Sequence, residues 1–69
     1  MRYGTDVTAR VESIQESNGF FKYKLIYRGR PYLDLRRECL ADIKEGDTVL
    51  CDRGFTVTES MKLTIRRKI

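Results

Sequence analysis

The chain has 69 residues, 41% of them hydrophobic and 35% charged, with 14 basic against 10 acidic side chains, no His and a formal charge of +4. That length supports one domain with a thin core, and the apolar and aromatic content is too high for a disordered segment. No run approaches the roughly 18 apolar residues of a membrane-spanning helix, and residues 1–6 lack the apolar stretch of a secretory signal, so a cytoplasmic location is expected.

Val7, Ala9 and Val11 alternate with polar residues, the pattern of a half-buried strand. Ile14 breaks the parity, and a β-bulge near Glu12–Ser13 would return it to the inner side while bending the strand. Glu16-Ser17-Asn18-Gly19 reads as a turn. From Phe20 to Arg28 the odd positions Phe21, Tyr23, Leu25 and Tyr27 form one face, expected to be core. The even positions Phe20, Lys22, Lys24, Ile26 and Arg28 form the other, expected to face solvent. Arg28-Gly29-Arg30-Pro31 closes a hairpin, with Pro31 at a strand start or edge. Tyr32 to Arg36 continues as a strand, with Leu33 and Leu35 expected inward and Tyr32, Asp34 and Arg36 outward.

Arg37 to Ile43 departs from the alternation. Leu40 and Ile43 stand three apart, which predicts a helix of about two turns. Lys44-Glu45-Gly46-Asp47 is a turn. Thr48 to Asp52 is a strand with Val49 and Cys51 on one side, Asp52-Arg53-Gly54 a turn or bulge, and Phe55 and Val57 resume the alternation. Glu59-Ser60 turns the chain again, and Met61, Leu63 and Ile65 form the inner side of a last strand, with Lys62, Thr64 and Arg66 outward.

Three strands, a short helix and two or three further strands predict a mostly β domain over residues 1–69, a small five-stranded OB-like barrel with the helix between strands three and four. An SH3-like barrel, which needs no helix, is the alternative. Val7 to Tyr27 reads V-x-A-x-V-x-x-I and then N-G-F-F-x-Y-x-L, Ile43 to Cys51 reads I-K-E-G-D-T-V-L-C, and the last strand ends K-L-T-I-R-R. This layout resembles the RNA-binding OB domains of ribosomal proteins and bacterial translation initiation factors. Gly29, Tyr32, Leu33 and Asp34, with Ile43, Gly46 and Val49, also resemble the soluble C-terminal OB domains of NfeD-type membrane proteins. The first resemblance implies RNA binding; the second implies protein contacts.

Charge is unevenly distributed. Residues 20–37 carry a net +5, 38–52 a net −4 and 53–69 a net +4. One basic face and one acidic flank are expected, and the basic face would attract a polyanion. The leading reading is therefore a non-catalytic module that binds RNA or single-stranded nucleic acid. Phe20 and Tyr32 would stack on bases. Lys22, Lys24, Arg28, Arg30 and Arg36 would meet phosphates, with Arg53, Lys62 and Arg66 extending the track. The alternative is a protein-binding adaptor using the barrel edge or the acidic flank of Glu38, Asp42, Glu45, Asp47 and Asp52.

No enzyme is expected. Without His, neither a Ser–His nor a Cys–His nucleophile pair can form, and no Gly-rich phosphate loop is present. No cofactor or metal is expected either. Cys39 and Cys51 read as small buried residues, and two thiolates do not complete a zinc shell.

Overall fold

A computed structural model describes residues 5–55, 57 and 60–69. Five strands follow one another: β1 (Thr5–Ser17), β2 (Phe20–Tyr27), β3 (Arg30–Arg36), β4 (Thr48–Phe55) and β5 (Met61–Lys68). They form one antiparallel sheet in the order β3-β2-β1-β4-β5.

Two tight hairpins set the register of the first three strands. Ser17 pairs with Phe20 and Tyr27 with Arg30, so each turn has two central residues. Both residues of each turn have positive φ: 53° and 81° at Asn18-Gly19, 53° and 76° at Arg28-Gly29. This mirror-image turn matches the twist of the flanking strands. The expected bulge is present, with the β1–β2 register shifting between Val11 and Ser13.

The core consists of Ala9, Val11, Tyr23, Leu25, Ile43, Val49, Cys51, Leu63 and Ile65, with Val7, Ile14, Phe21, Tyr27, Tyr32, Leu40 and Met61 packed against it. β1, β2, β4 and β5 thus bury the sides that alternation predicts. β3 does not. Tyr32 lies opposite Leu25, Asp34 opposite Tyr23 and Arg36 opposite Phe21, and directly paired residues share a face. Leu33 and Leu35 are consequently outward, 52% and 60% exposed, while Asp34 is 5% exposed. A two-residue turn pairs odd positions of β2 with even positions of β3, and burial of Tyr23 and Leu25 then decides for both strands.

Asp34 is inward because it has partners there. Its Oδ2 accepts the backbone N–H of Ile65 at 2.9 Å and the Nε–H of Arg36 at 3.0 Å, and Arg36 Nη2 donates to the Ile65 carbonyl. Among the described residues no ladder pairs β3 with β5, so barrel closure by a backbone ladder is not seen. The two outermost strands of the sheet order are joined instead by this side-chain clasp.

The predicted helix over Arg37–Ile43 is absent; residues 37–47 are bends, turns and irregular backbone. Two turns of isolated helix are marginal in water, and the segment finds better partners on the sheet. The Leu40 N–H donates to the Tyr23 hydroxyl at 2.8 Å, and the Ile43 N–H to the Leu40 carbonyl at 3.0 Å, closing a single turn. That turn suffices to point Leu40 and Ile43 into the core. Gly46 N–H bonds the Val11 carbonyl, Val11 N–H bonds the Asp47 carbonyl and Ile14 N–H bonds Glu45 Oε2, which seats the segment along the bulged part of β1.

The break expected at Asp52-Arg53-Gly54 is also absent. β4 runs through it to Phe55, which pairs with Met61, and the register shift lies earlier, between Leu50 and Cys51. Val57 is in a turn and fully exposed. Glu59 of the expected Glu59-Ser60 turn lies outside the described residues. No helix among the described residues is long and apolar enough to cross a membrane.

Candidate nucleic-acid interface

The even positions of β2 face outward as alternation requires. Lys22 and Lys24 stand on one side of a sheet whose other side holds Tyr23 and Leu25. With Ser13 and Gln15 of β1 and Pro31 and Leu33 of β3, the two lysines line a shallow groove of about 440 Å³. Lys24 Nζ lies 3.1 Å from Glu12 Oε1, with both side chains substantially exposed. Phe20, on the same side of β2, is covered by Arg37, whose guanidinium carbon is 5.0 Å from the ring centroid. Arg37, in the stretch read as a helix, is an addition to the residues expected here.

A second basic cluster gathers where the β2–β3 hairpin meets β4 and β5. Tyr27, Arg28, Arg30, Tyr32, Arg53 and Met61 line a cleft of about 260 Å³. The two tyrosine rings are 6.3 Å apart and tilted by 59°. Arg28 lies over Tyr27 at 5.5 Å, a cation–π contact. Register explains the convergence. Arg30 pairs with Tyr27, and Arg53 pairs with the buried Leu63, so both belong to the inner side of the sheet at its end.

Tyr32 therefore belongs to this inner cluster and not to an outward platform with Phe20, which corrects the expected orientation. Tyr27, expected as core in preference to a ligand-stacking role, packs on the core and lines the cleft as well. Met61 joins them. Its position one pair beyond Leu63 on the inner side was visible in the sequence, but the meeting of its strand with the β2–β3 hairpin was not.

Arg28 occupies a costly position. An L-residue in the left-handed region loses about 1–2 kcal/mol, and Asn, which tolerates it, fills the equivalent place at Asn18. Among the described residues, Arg28, Arg30 and Arg53 have no carboxylate partner.

The remaining predicted cations are elsewhere and differently engaged. Arg36, expected outward, is half-buried in the clasp on Asp34 and Ile65. Arg66 Nη1 lies 3.2 Å from Asp6 Oδ1 and 3.1 Å from Asp52 Oδ1. Lys62 is exposed on β5, opposite Gly54. The ten residues thus form no single track: Phe20, Lys22 and Lys24 share one face, Arg28, Arg30, Tyr32 and Arg53 share the cleft, and Arg36, Lys62 and Arg66 join neither.

Several acids of the expected flank serve the fold. Asp47 Oδ2 accepts the Lys44 N–H at 2.9 Å and faces Lys68 Nζ at 3.4 Å. The Lys44 amide, aided by Lys68, holds its carboxyl below the usual range. Asp52 is spent on Arg66, and Glu45 on Ile14. Glu38 and Asp42 are exposed.

Cys51 is buried and Cys39 exposed, and both are free thiols, so the expectation of two buried cysteines holds for Cys51 alone. Burial, reinforced by the nearby Asp34 charge, pushes the Cys51 thiol up to about 11. Burial also raises Tyr23, keeping its hydroxyl protonated at neutral pH as it accepts the Leu40 amide. No protein-family model, curated protein or solved structure matches this chain.

Proposed function

We propose that this chain is a non-catalytic binding module of the OB type, and that it binds RNA or single-stranded nucleic acid across the outward face of β1, β2 and β3. The OB reading is supported by the strand order β3-β2-β1-β4-β5 and by the clasp that holds β3 against β5. One observation carries the function: Lys22 and Lys24 stand outward together over the groove, beside Phe20 and Arg37. Ammonium groups spaced along a strand meet successive phosphates, and aromatic and guanidinium planes stack on bases of any sequence.

The test is fluorescence anisotropy with short single-stranded RNA and DNA over a series of salt concentrations. Affinity falls with salt, with a logarithmic slope of about −0.7 for each phosphate engaged. The Lys22→Glu/Lys24→Glu double variant binds at least about tenfold more weakly, a loss of about 1.4 kcal/mol, and keeps the melting temperature of the parent. Absence of binding at the lowest salt removes this reading.

A second reading, a protein-binding adaptor, is favoured by Leu33 and Leu35, two large apolar side chains exposed on the same face of β3. It predicts association that salt does not weaken and that Leu33→Ser and Leu35→Ser abolish.

A further inference from the structure

We infer that the cleft between Tyr27, Arg28, Arg30, Tyr32 and Arg53 is a separate subsite that takes one phosphorylated nucleotide unit, the phosphate-bearing end of a single strand. This deepens the proposed function and, as an end-of-strand site, rests on it.

Of the described cations, four face a carboxylate and the others do not, and three of those others share one cleft. Lys24, Arg36, Arg66 and Lys68 each face a carboxylate. Arg28, Arg30 and Arg53 converge on one cleft with none among the described residues. Three like charges brought together cost free energy in the unliganded protein unless an anion compensates them. Planar guanidinium forks match phosphate oxygens. A terminal phosphate monoester carries between one and two negative charges near neutral pH, against one for a phosphodiester inside a strand, so three guanidiniums favour the end over the interior.

The aromatic wall selects for what the phosphate carries. Tyr27 and Tyr32 offer two tilted rings within the same cleft, suited to a sugar or base lying beside the phosphate. The cleft, at about 260 Å³, is below the range of drug-sized pockets, roughly 300–1,000 Å³, and fits one unit rather than several.

Arg28 supplies an independent argument. Its φ of 53° is the value at Asn18 in the other hairpin, where Asn meets the same backbone demand at lower strain. Strain retained in the wall of a cleft points to a ligand-directed role for the side chain.

The experiment compares a short oligouridylate with a 5′-phosphate, with a 3′-phosphate and with hydroxyls at both ends, using an internal fluorophore. In parallel, uridine monophosphate and inorganic phosphate are titrated against the Tyr27 and Tyr32 ring signals by NMR. One phosphorylated end binds about fivefold or more tightly than the hydroxyl strand, and that increment disappears in Arg53→Gln and Arg28→Asn. Lys22→Gln/Lys24→Gln instead weakens all three strands alike. Arg28→Asn also melts higher by about 2–6 °C, since it relieves the turn.

Equal affinity for all three ends, or an increment that survives both arginine substitutions, overturns the subsite while leaving strand binding on the β2 face. Ring shifts with uridine monophosphate that vanish in Arg53→Gln, in a protein that binds no strand, keep the cleft as a nucleotide site and remove the strand reading. Ring shifts as large with inorganic phosphate as with the nucleotide remove the aromatic part of the proposal. A lower melting temperature for Arg28→Asn assigns Arg28 to the fold and takes it out of the subsite.

Discussion

Asp34 and Arg36 show how one pair of side chains can substitute for a missing ladder. A carboxylate 5% exposed is expensive unless its charge and lone pairs are met. Here they are met by the Arg36 Nε–H and the Ile65 amide, while the Arg36 fork also holds the Ile65 carbonyl. Both backbone polar groups of Ile65 on this side are satisfied by β3 without a backbone partner. Asp34→Ala leaves an arginine half-buried without its counter-charge and an amide without an acceptor, and is expected to cost about 3–5 kcal/mol. Arg36→Ala also destabilises. The double variant loses less than the sum of the two, by about 1–3 kcal/mol, as groups in one network do. Urea denaturation of the four proteins in a double-mutant cycle measures this; additive losses within experimental error would remove the clasp as a unit. The sequence could not show this pair to be inward, because its partner, Ile65, lies about thirty residues on and offers only its backbone.

At the scale of elements, four of the five strands were legible because their apolar residues alternate and the core needs one side of each. The bulge was legible because Ile14 falls out of step with Val11, and the Asn18-Gly19 hairpin because those residues accept positive φ. β3 was misread where two signals compete. Its leucines alternate as a core strand would, but the two-residue turn before it fixes the opposite parity relative to β2. Register decides, since slipping β3 by one residue to bury Leu33 and Leu35 would break the Arg28-Gly29 turn and turn Asp34 away from Ile65. The test is a pair of substitutions. Leu33→Ala and Leu35→Ala each change stability by no more than about 0.5 kcal/mol. Leu25→Ala, at a position with no exposure, costs about 2–5 kcal/mol. Comparable losses at Leu33 and Leu25 would mean that alternation and not register governs β3. The helix was misread for a different reason: Leu40 and Ile43 are three apart in a single turn as well as in a helix, and Tyr23 takes up the Leu40 amide.

For the molecule as a whole, the blocks of charge in the sequence do not map onto one basic face. Folding sends Lys22 and Lys24 to the outward side of β2, Arg28, Arg30 and Arg53 to the end cleft, and Arg36 and Arg66 into contacts with carboxylates. Net charge was readable from composition; compensation was not, because Asp6 and Arg66 meet only in the fold. The distinction gives a prediction about salt. A cation that faces like charges destabilises the free protein at low ionic strength, and a cation that faces a carboxylate does not. Debye screening extends to about 30 Å at 0.01 M salt and about 3 Å at 1 M. Arg53→Gln should therefore melt higher than the parent near 0.01 M salt, and the difference should close toward 1 M. Lys24→Gln, which loses Glu12 as a partner, should melt no higher than the parent at any salt. The same salt series run with a bound single strand should reverse the order, because Arg53 then faces phosphate and its loss removes an attraction. A gain in Arg53→Gln that is independent of salt would trace to packing, and the cleft would lose its claim to uncompensated charge.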